Sequence, residues 1–233
     1  MTAALHQIDN WIFDLDNTLY PVSSGLHKLM DMRIRAFVGR TLGLDDDAAH
    51  RVQKDYFRNY GTTLSGLMAE HGTDPYEYLA DVHDFSLSAI DDAPRLAEHL
   101  SALPGRKVIF TNADAPYAAR VLDRLGLEGI FEQIIDIHTI SYEPKPAQSA
   151  YDTLLEKTGI DPARSIFFED MARNLLPAKK MGMQTVWIDS GWHESTWGHD
   201  GGGDDRFAHV DYRIDSLAGW LESAIETLQI SAL

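Results

Sequence analysis

The chain of 233 residues contains no cysteine. That excludes disulfides, a thiolate metal site and a cysteine nucleophile, and it leaves the redox compartment open. No stretch approaches the roughly 18 consecutive apolar residues of a membrane span, and the first residues lack a basic-then-apolar signal pattern. A soluble cytoplasmic protein with no membrane partner is therefore expected. Positive charge is scarce as well, with 20 Lys and Arg against 36 Asp and Glu and a formal net charge of -16. A nucleic-acid polymer needs a basic surface that displaces counterions from its phosphates, so none is expected as a partner. A small phosphate monoester stays open to an acidic chain, provided a cation and one or two fixed positive groups reverse the field locally.

What is present begins with one stretch. Trp11, Ile12 and Phe13 run straight into Asp14-Leu15-Asp16. Three large apolar residues followed by acids read as a buried parallel strand whose carboxyl end turns polar, which is where open α/β sheets keep their chemistry. Residues two apart on an extended segment share a side, so Asp14 and Asp16 face one pocket while Leu15 faces the core. Crowded carboxylates repel, and a hard cation such as Mg2+ relieves this with oxygen ligands. One of the two acids is then free to act as nucleophile or acid. An EF-hand is excluded, because its sixth position would be Leu19 rather than Gly and its twelfth Gly25 rather than Glu.

From residue 22 to 93 the pattern is helical. Leu26, Leu29, Met30, Ile34, Phe37 and Val38 form a stripe closed by Gly39 and Gly43. A second helix follows Asp45-Asp46-Asp47, a short one follows the break at Tyr60-Gly61, and Asp74-Pro75 opens another. From Pro94 onward, helices alternate with short apolar strands at Lys107–Phe110, Ile134–Ile135, Ser165–Phe168, Thr185–Ile188 and Tyr212–Ile214, the signature of βαβ units. One expected helix runs from Leu175 to Met181. Gly198 to Asp205 reads as a loop. His193 and His199 match no helical His-x-x-x-His spacing and are assigned to an acidic loop rather than to a transition-metal site. Three strands end in polar groups, at Asp14-Leu15-Asp16, Thr111-Asn112 and Glu169-Asp170, and a parallel sheet brings such ends to one edge. Glu143-Pro144-Lys145-Pro146 adds a lysine whose backbone is restricted by flanking prolines.

In order and type, Asp14-Leu15-Asp16-Asn17-Thr18, Thr111, Lys145 and Glu169-Asp170 resemble the four motifs of the haloacid dehalogenase superfamily. The resemblance covers Trp11 to about Asp189. Asp16 to Pro21 and Tyr60 to Leu67 look most like the pyrimidine 5'-nucleotidase branch. It implies an α/β fold, with a Rossmann-like parallel-sheet core formed by residues 1–21 and 94–233 and a helical cap domain, 22–93, inserted after the first strand. It also implies that Asp14 attacks phosphorus to form an aspartyl-phosphate, and that Asp16 protonates the leaving group and then activates water. Thr111 would hold phosphoryl oxygens with Asn112 beside it, and Lys145 would pair with Asp14 and the phosphoryl group. Mg2+ would be held by Asp14, the main-chain carbonyl of Asp16 and Asp170. Glu169 stands where Gly is commoner and Asn174 where a second Asp is frequent. Glu169 is thus either a further ligand or an acceptor behind the ligands, and Asn174 orients Asp170 or Lys145.

The resemblance leaves substrate choice to the cap, where Tyr60 would stack on a base and Thr63, with Thr62 and Ser65, would bond base or sugar. An acid at position 16 speaks against alkyl-halide dehalogenation, whose leaving group needs no proton. The expected function is a Mg2+-dependent phosphatase of small phosphorylated metabolites, with a pyrimidine nucleoside 5'-monophosphate as substrate. Phosphoglycolate, a phospho-sugar, a phosphorylated cofactor or a phosphomutase reaction are the alternatives on the same site. A catalytically silent phosphate-binding regulator is the alternative from another class. Oligomeric state is not legible in the sequence.

Overall fold

The fold is laid out around β1 (Asn10–Phe13), which has a parallel partner on each side. The computed structural model describes residues 5–189, 191 and 207–230; His193, His199 and the loop from Gly198 to Asp205 lie outside the described residues. The other strands are β2 (Arg106–Phe110), β3 (Gln133–Ile135), β4 (Ser165–Glu169), β5 (Gln184–Ile188) and β6 (Tyr212–Ile214). They form one six-stranded sheet in the order β3-β2-β1-β4-β5-β6, and every pairing is parallel. The strand order reverses at β1, and that switch point opens a crevice at the carboxyl ends of β1, β2 and β4.

A parallel sheet is covered on both faces, so its strands are apolar throughout rather than alternating. Trp11, Phe13, Ile109 and Phe168 turn to one side, where they meet α5 (Pro94–Ala102), α6 (Ala115–Leu125) and α9 (Leu217–Ile230). Ile12, Val108, Phe110 and Phe167 turn to the other, against α7 (Gln148–Thr158) and α8 (Ala172–Lys180). Phe13 and Phe168, paired in register, stack with centroids 4.7 Å apart. Burying each such ring contributes about 1.5–3 kcal/mol.

Between β1 and α5 the chain forms α1 (Leu26–Leu42), α2 (Asp46–Tyr60), α3 (Thr63–His71) and α4 (Pro75–Val82), with no strand among these described residues. Side-chain caps start three of them: Asp45 accepts from Ala48 N, Thr62 from Ser65 N and Asp74 from Tyr76 N. Gly66 has a packing reason, because a Cβ there would fall 2.4 Å from the Tyr56 ring. Arg33 and Arg40 on α1 both reach Asp81 on α4. The apolar cluster of Ile12 and Phe110 continues into this insertion through Phe37, Leu64, Leu67, Tyr78 and Leu79. None of the described helices is long and apolar enough to cross a membrane.

Two helix boundaries differ from expectation by three residues or more. Gly39 does not close α1. The helix runs on to Leu42, and Gly43, at φ +66°, ends it by donating to the Gly39 carbonyl. Helix α8 begins at Ala172, three residues ahead of the first expected apolar position, and its first turn brings Asn174 to the crevice.

Candidate active site

A chamber of about 250 Å³ fills the crevice and extends under the insertion. Its lining includes Asp14, Asp16, Thr111, Asn112, Lys145, Glu169 and Asp170, all from separate polar strand ends or the Pro-Lys-Pro loop, together with Thr63. Tyr60 is not among the lining residues.

Lys145 is the centre of the arrangement. Its side chain is 1% exposed and its three protons have three acceptors: Asp14 Oδ1 at 2.7 Å, Glu169 Oε2 at 2.7 Å and the Phe110 carbonyl at 2.8 Å. The ammonium also lies 5.1 Å from the Phe110 ring centroid and 5.4 Å from that of Phe167. Burial works against its charge, but Asp14 and Glu169 outweigh burial and hold Lys145 above the ordinary lysine range. Asn112 explains how the backbone is set. Its Oδ1 accepts from Lys145 N at 2.9 Å and its Nδ2 donates to Lys145 O at 3.3 Å. The amide therefore clamps the lysine's own main chain, while the residue lines the chamber.

Asp14 directly follows β1, with its N–H bonded to Phe168 O at 2.9 Å. Burial pushes its carboxyl up to about 8; Glu169 adds to the rise and Lys145 opposes it. Asp170 is likewise pushed well up by burial, then by Glu169 and Asp14. Asn17, held in the left-handed region at φ +58°, donates from Nδ2 to Asp170 Oδ2 at 3.2 Å. Asn tolerates that backbone better than most residues. Oxygens of Asp14, Glu169 and Asp170 lie within 4.8 Å of one another. Three carboxylates gathered around one lysine leave excess negative charge, and the buried Oδ1 atoms of Asn17 and Asn174 have no protein partner. An all-oxygen donor set with this charge fits a hard divalent cation such as Mg2+. Glu169 is the most encumbered member, with Oε2 on Lys145 and Oε1 accepting from Met171 N at 3.1 Å.

Asp16 is held apart from that cluster. Its Oδ1 accepts from Tyr117 Oη at 3.0 Å and from Tyr20 Oη, and the two hydroxyls are 3.1 Å apart. Burial raises the Asp16 carboxyl, while the two hydroxyls pull it back. Burial raises the tyrosines too, so they remain protonated donors. Tyr117 stacks on His83 at 4.3 Å between centroids, and His83 Nδ1 stands 2.8 Å from Asp114 Oδ1. Sequence reasoning missed Tyr117, His83 and Asp114. The available signal was weak: Asp114 precedes a proline-started helix and reads only as a cap, which it also is.

Of the remaining expected residues, Thr111 is 1% exposed and lines the chamber, with Oγ1 accepting from Ala113 N at 3.0 Å. Thr63 donates to Gln53 O at 3.2 Å. Thr62 and Ser65 cap α3, and Ser65 Oγ donates to Tyr142 O at 3.2 Å. The Tyr60 ring packs edge-on against Tyr56 and its hydroxyl donates to Glu70, so it is not placed to stack on a bound base.

A doubly wound parallel sheet with a buried carboxylate–lysine cluster at its switch point defines an α/β protein with a candidate active site where this class of fold holds its ligands. Residues 8–182 match the haloacid dehalogenase-like hydrolase family, and the chain belongs to it. It is 29% identical over 192 residues to Phosphate metabolism protein 8 of Saccharomyces cerevisiae, a match covering 76% of this chain. The match spans 60% of that protein, less than two thirds of its length. It is 26% identical over 200 residues to Glyceraldehyde 3-phosphate phosphatase of Methanopyrus kandleri, covering 78% of this chain and 84% of that one. Among solved structures, a HAD phosphatase from Thermococcus onnurineus superposes with a TM-score of 0.58 at 20% identity, over 93% of this chain and 97% of that one, and has the same fold. Family and relatives support a phosphatase.

Proposed function

We propose that the protein is a cytoplasmic, Mg2+-dependent phosphatase that hydrolyses small phosphate monoesters through an aspartyl-phosphate on Asp14, with pyrimidine nucleoside 5'-monophosphates as its substrates. The observation that carries the chemistry is the buried bridge from Lys145 to Asp14 and Glu169 beside Asp170, at the floor of the chamber.

In the first step Asp14 attacks phosphorus and the ester oxygen leaves with a proton from Asp16. In the second, Asp16 takes a proton from water as that water attacks the aspartyl-phosphate, which releases phosphate and restores Asp14. Tyr20 and Tyr117 fix the Asp16 carboxyl for both transfers. Lys145 keeps Asp14 oriented and favours its ionised form against burial, and Thr111 offers its hydroxyl to the phosphoryl oxygens as they gain charge. Asp14, Asp170 and the main-chain carbonyl of Asp16 would hold Mg2+, with Glu169 behind them on Lys145. The ion supplies positive charge that keeps the carboxylates ionised and offsets that of the phosphoryl group.

Residues 22–93 serve as the cap. They cover the crevice, exclude water and give the leaving group its surroundings. The nucleotide assignment rests on the Asp16 to Pro21 and Tyr60 to Leu67 stretches and on the apolar walls that Ile34, Phe57, Leu79 and Ile137 give the chamber.

Phosphate release from UMP, CMP, dTMP, AMP, GMP, phosphoglycolate and sugar phosphates, with Mg2+ and with chelator, tests the proposal. Mg2+-dependent release led by pyrimidine monophosphates is expected. Release led by another monoester would keep the chemistry and discard the substrate. Release that persists in chelator would remove the metal.

A further inference from the structure

Among the polar groups that the insertion brings to the chamber, Gln53 on α2 and Asp31 on α1 form a hydrogen-bonded pair. Gln53 is 2% exposed. Its Nε2 donates to Asp31 O at 3.2 Å and to Asp31 Oδ1 at 2.9 Å. A carbonyl and a carboxylate only accept, so the amide nitrogen belongs on that side and the oxygen on the other. Lys54 Nζ donates to the same Asp31 Oδ1 at 2.6 Å, which holds the pair from behind. Gln53 Oε1 is left buried with no protein donor. Buried acceptors are nearly always satisfied, and an unsatisfied one in a chamber lining points to a donor brought by the ligand.

The charge of the lining is one-sided. Asp14, Asp16, Asp31, Glu169 and Asp170 all contribute, whereas Lys145 is the sole lysine or arginine among the described lining residues. Its three protons already serve Asp14, Glu169 and Phe110. A leaving group with its own anionic charge would find acids, neutral polar groups, the imidazoles of His27 and His83 and apolar walls, and no lysine or arginine free of a carboxylate partner among the described lining residues.

Resting on the phosphatase reading above, we propose that this chamber selects phosphate monoesters whose leaving group is uncharged and offers an N–H or O–H donor to Gln53 Oε1, and that it rejects monoesters with a second anionic group. Neutral nucleoside and polyol monophosphates fall inside that class. Phosphoglycolate and bisphosphates fall outside it.

Two comparisons test this, both on the full chain with Mg2+. On the wild-type protein, 2-hydroxyethyl phosphate and phosphoglycolate differ chiefly by the carboxylate, and kcat/KM for the neutral ester is expected to be at least about tenfold higher. Equal values overturn the charge rule. In Gln53→Met, the ratio of kcat/KM for UMP, GMP or sn-glycerol 3-phosphate to that for donor-free phenyl phosphate is expected to fall by about tenfold for the best of the three, the scale of one lost buried hydrogen bond. An unchanged ratio overturns the role of Gln53, and phenyl phosphate turnover in the same sample reports whether the variant is folded. Titration calorimetry with the same monoesters reads the preference without turnover. The same ranking in binding with no phosphate release would defeat the phosphatase reading and sustain the selectivity. No ranking in either measurement overturns it.

Discussion

The ammonium of Lys145 and the carboxylate of Glu169 meet at 2.7 Å, and each side chain is 1% exposed. Lys145 shares the same ammonium with Asp14, so one ammonium serves two carboxyl groups in a space closed to water. Such a pair is costly to break from one side, because the remaining charge stays buried without a partner.

Lys145→Met therefore leaves Asp14 and Glu169 facing each other. The variant is expected to lose about 3–5 kcal/mol of stability at neutral pH, within the range for breaking a buried pair. It should recover part of that loss in Mg2+ and turn over no substrate. Thermal unfolding with and without Mg2+ checks this, and wild-type melting without metal would contradict it.

Asp14→Asn is expected to lower hydrolysis by at least about a thousandfold, as loss of a nucleophile does. Its effect on stability has the opposite sign. The Asp14 carboxyl is raised from 3.8 to about 8 on folding, so its contribution to stability is fully present below pH 4 and is lost as pH rises through about 8. Asn does not titrate. Without metal, the melting temperature of the variant should gain on that of the wild type between pH 4 and pH 8, and parallel pH curves for the two proteins would refute the assignment.

Metal binding should release protons. At neutral pH, burial holds Asp14 and Asp170 toward their protonated forms, and a cation binds the ionised ones. Mg2+ affinity is expected to fall as the solution is acidified below about pH 8. Calorimetry in buffers of different ionisation enthalpy measures the proton count directly, and a count of zero at pH 7 would show that the acids are already ionised.

Tyr117→Phe removes one of the two hydroxyl donors to Asp16 and keeps the ring on His83. A hydrogen bond to the ionised carboxylate favours it, so its loss raises the Asp16 carboxyl further. The acid step is then preserved and the base step slowed. The expected result is kcat reduced about tenfold, the scale of one hydrogen bond to a charged group. KM should not rise, and a burst of alcohol release should precede steady phosphate release. Equal slowing of both products without a burst would make Tyr117 purely structural.

The sheet was legible because the strands are continuous apolar runs, and each run that ends in Asp, Thr or Glu marks the carboxyl edge. Lys145 was legible for a related reason, since flanking prolines set it in a loop before a helix. The environment of Asp16 was not legible. His83, Asp114 and Tyr117 come together from the end of α4 and the start of α6, and nothing local marks a histidine that stacks on a tyrosine far along the chain. Asn112 and Tyr60 show the converse. Both are of a type suited to binding, but one is taken up by the Lys145 backbone and the other by Glu70. Gln53 gave no signal, because an isolated glutamine on a polar helix reads as surface until its neighbours are known.

Strand order also dictates when the site comes together. During synthesis from the N-terminus, β1 can pair with β2 only after residue 110 has left the ribosome, and its other edge has no native partner until β4 has followed to residue 169. Lys145 leaves the ribosome before Glu169 and Asp170 do. The last acids thus arrive where their counter-charge already exists, and the nascent chain never has to gather the whole acidic cluster ahead of the lysine that neutralises it.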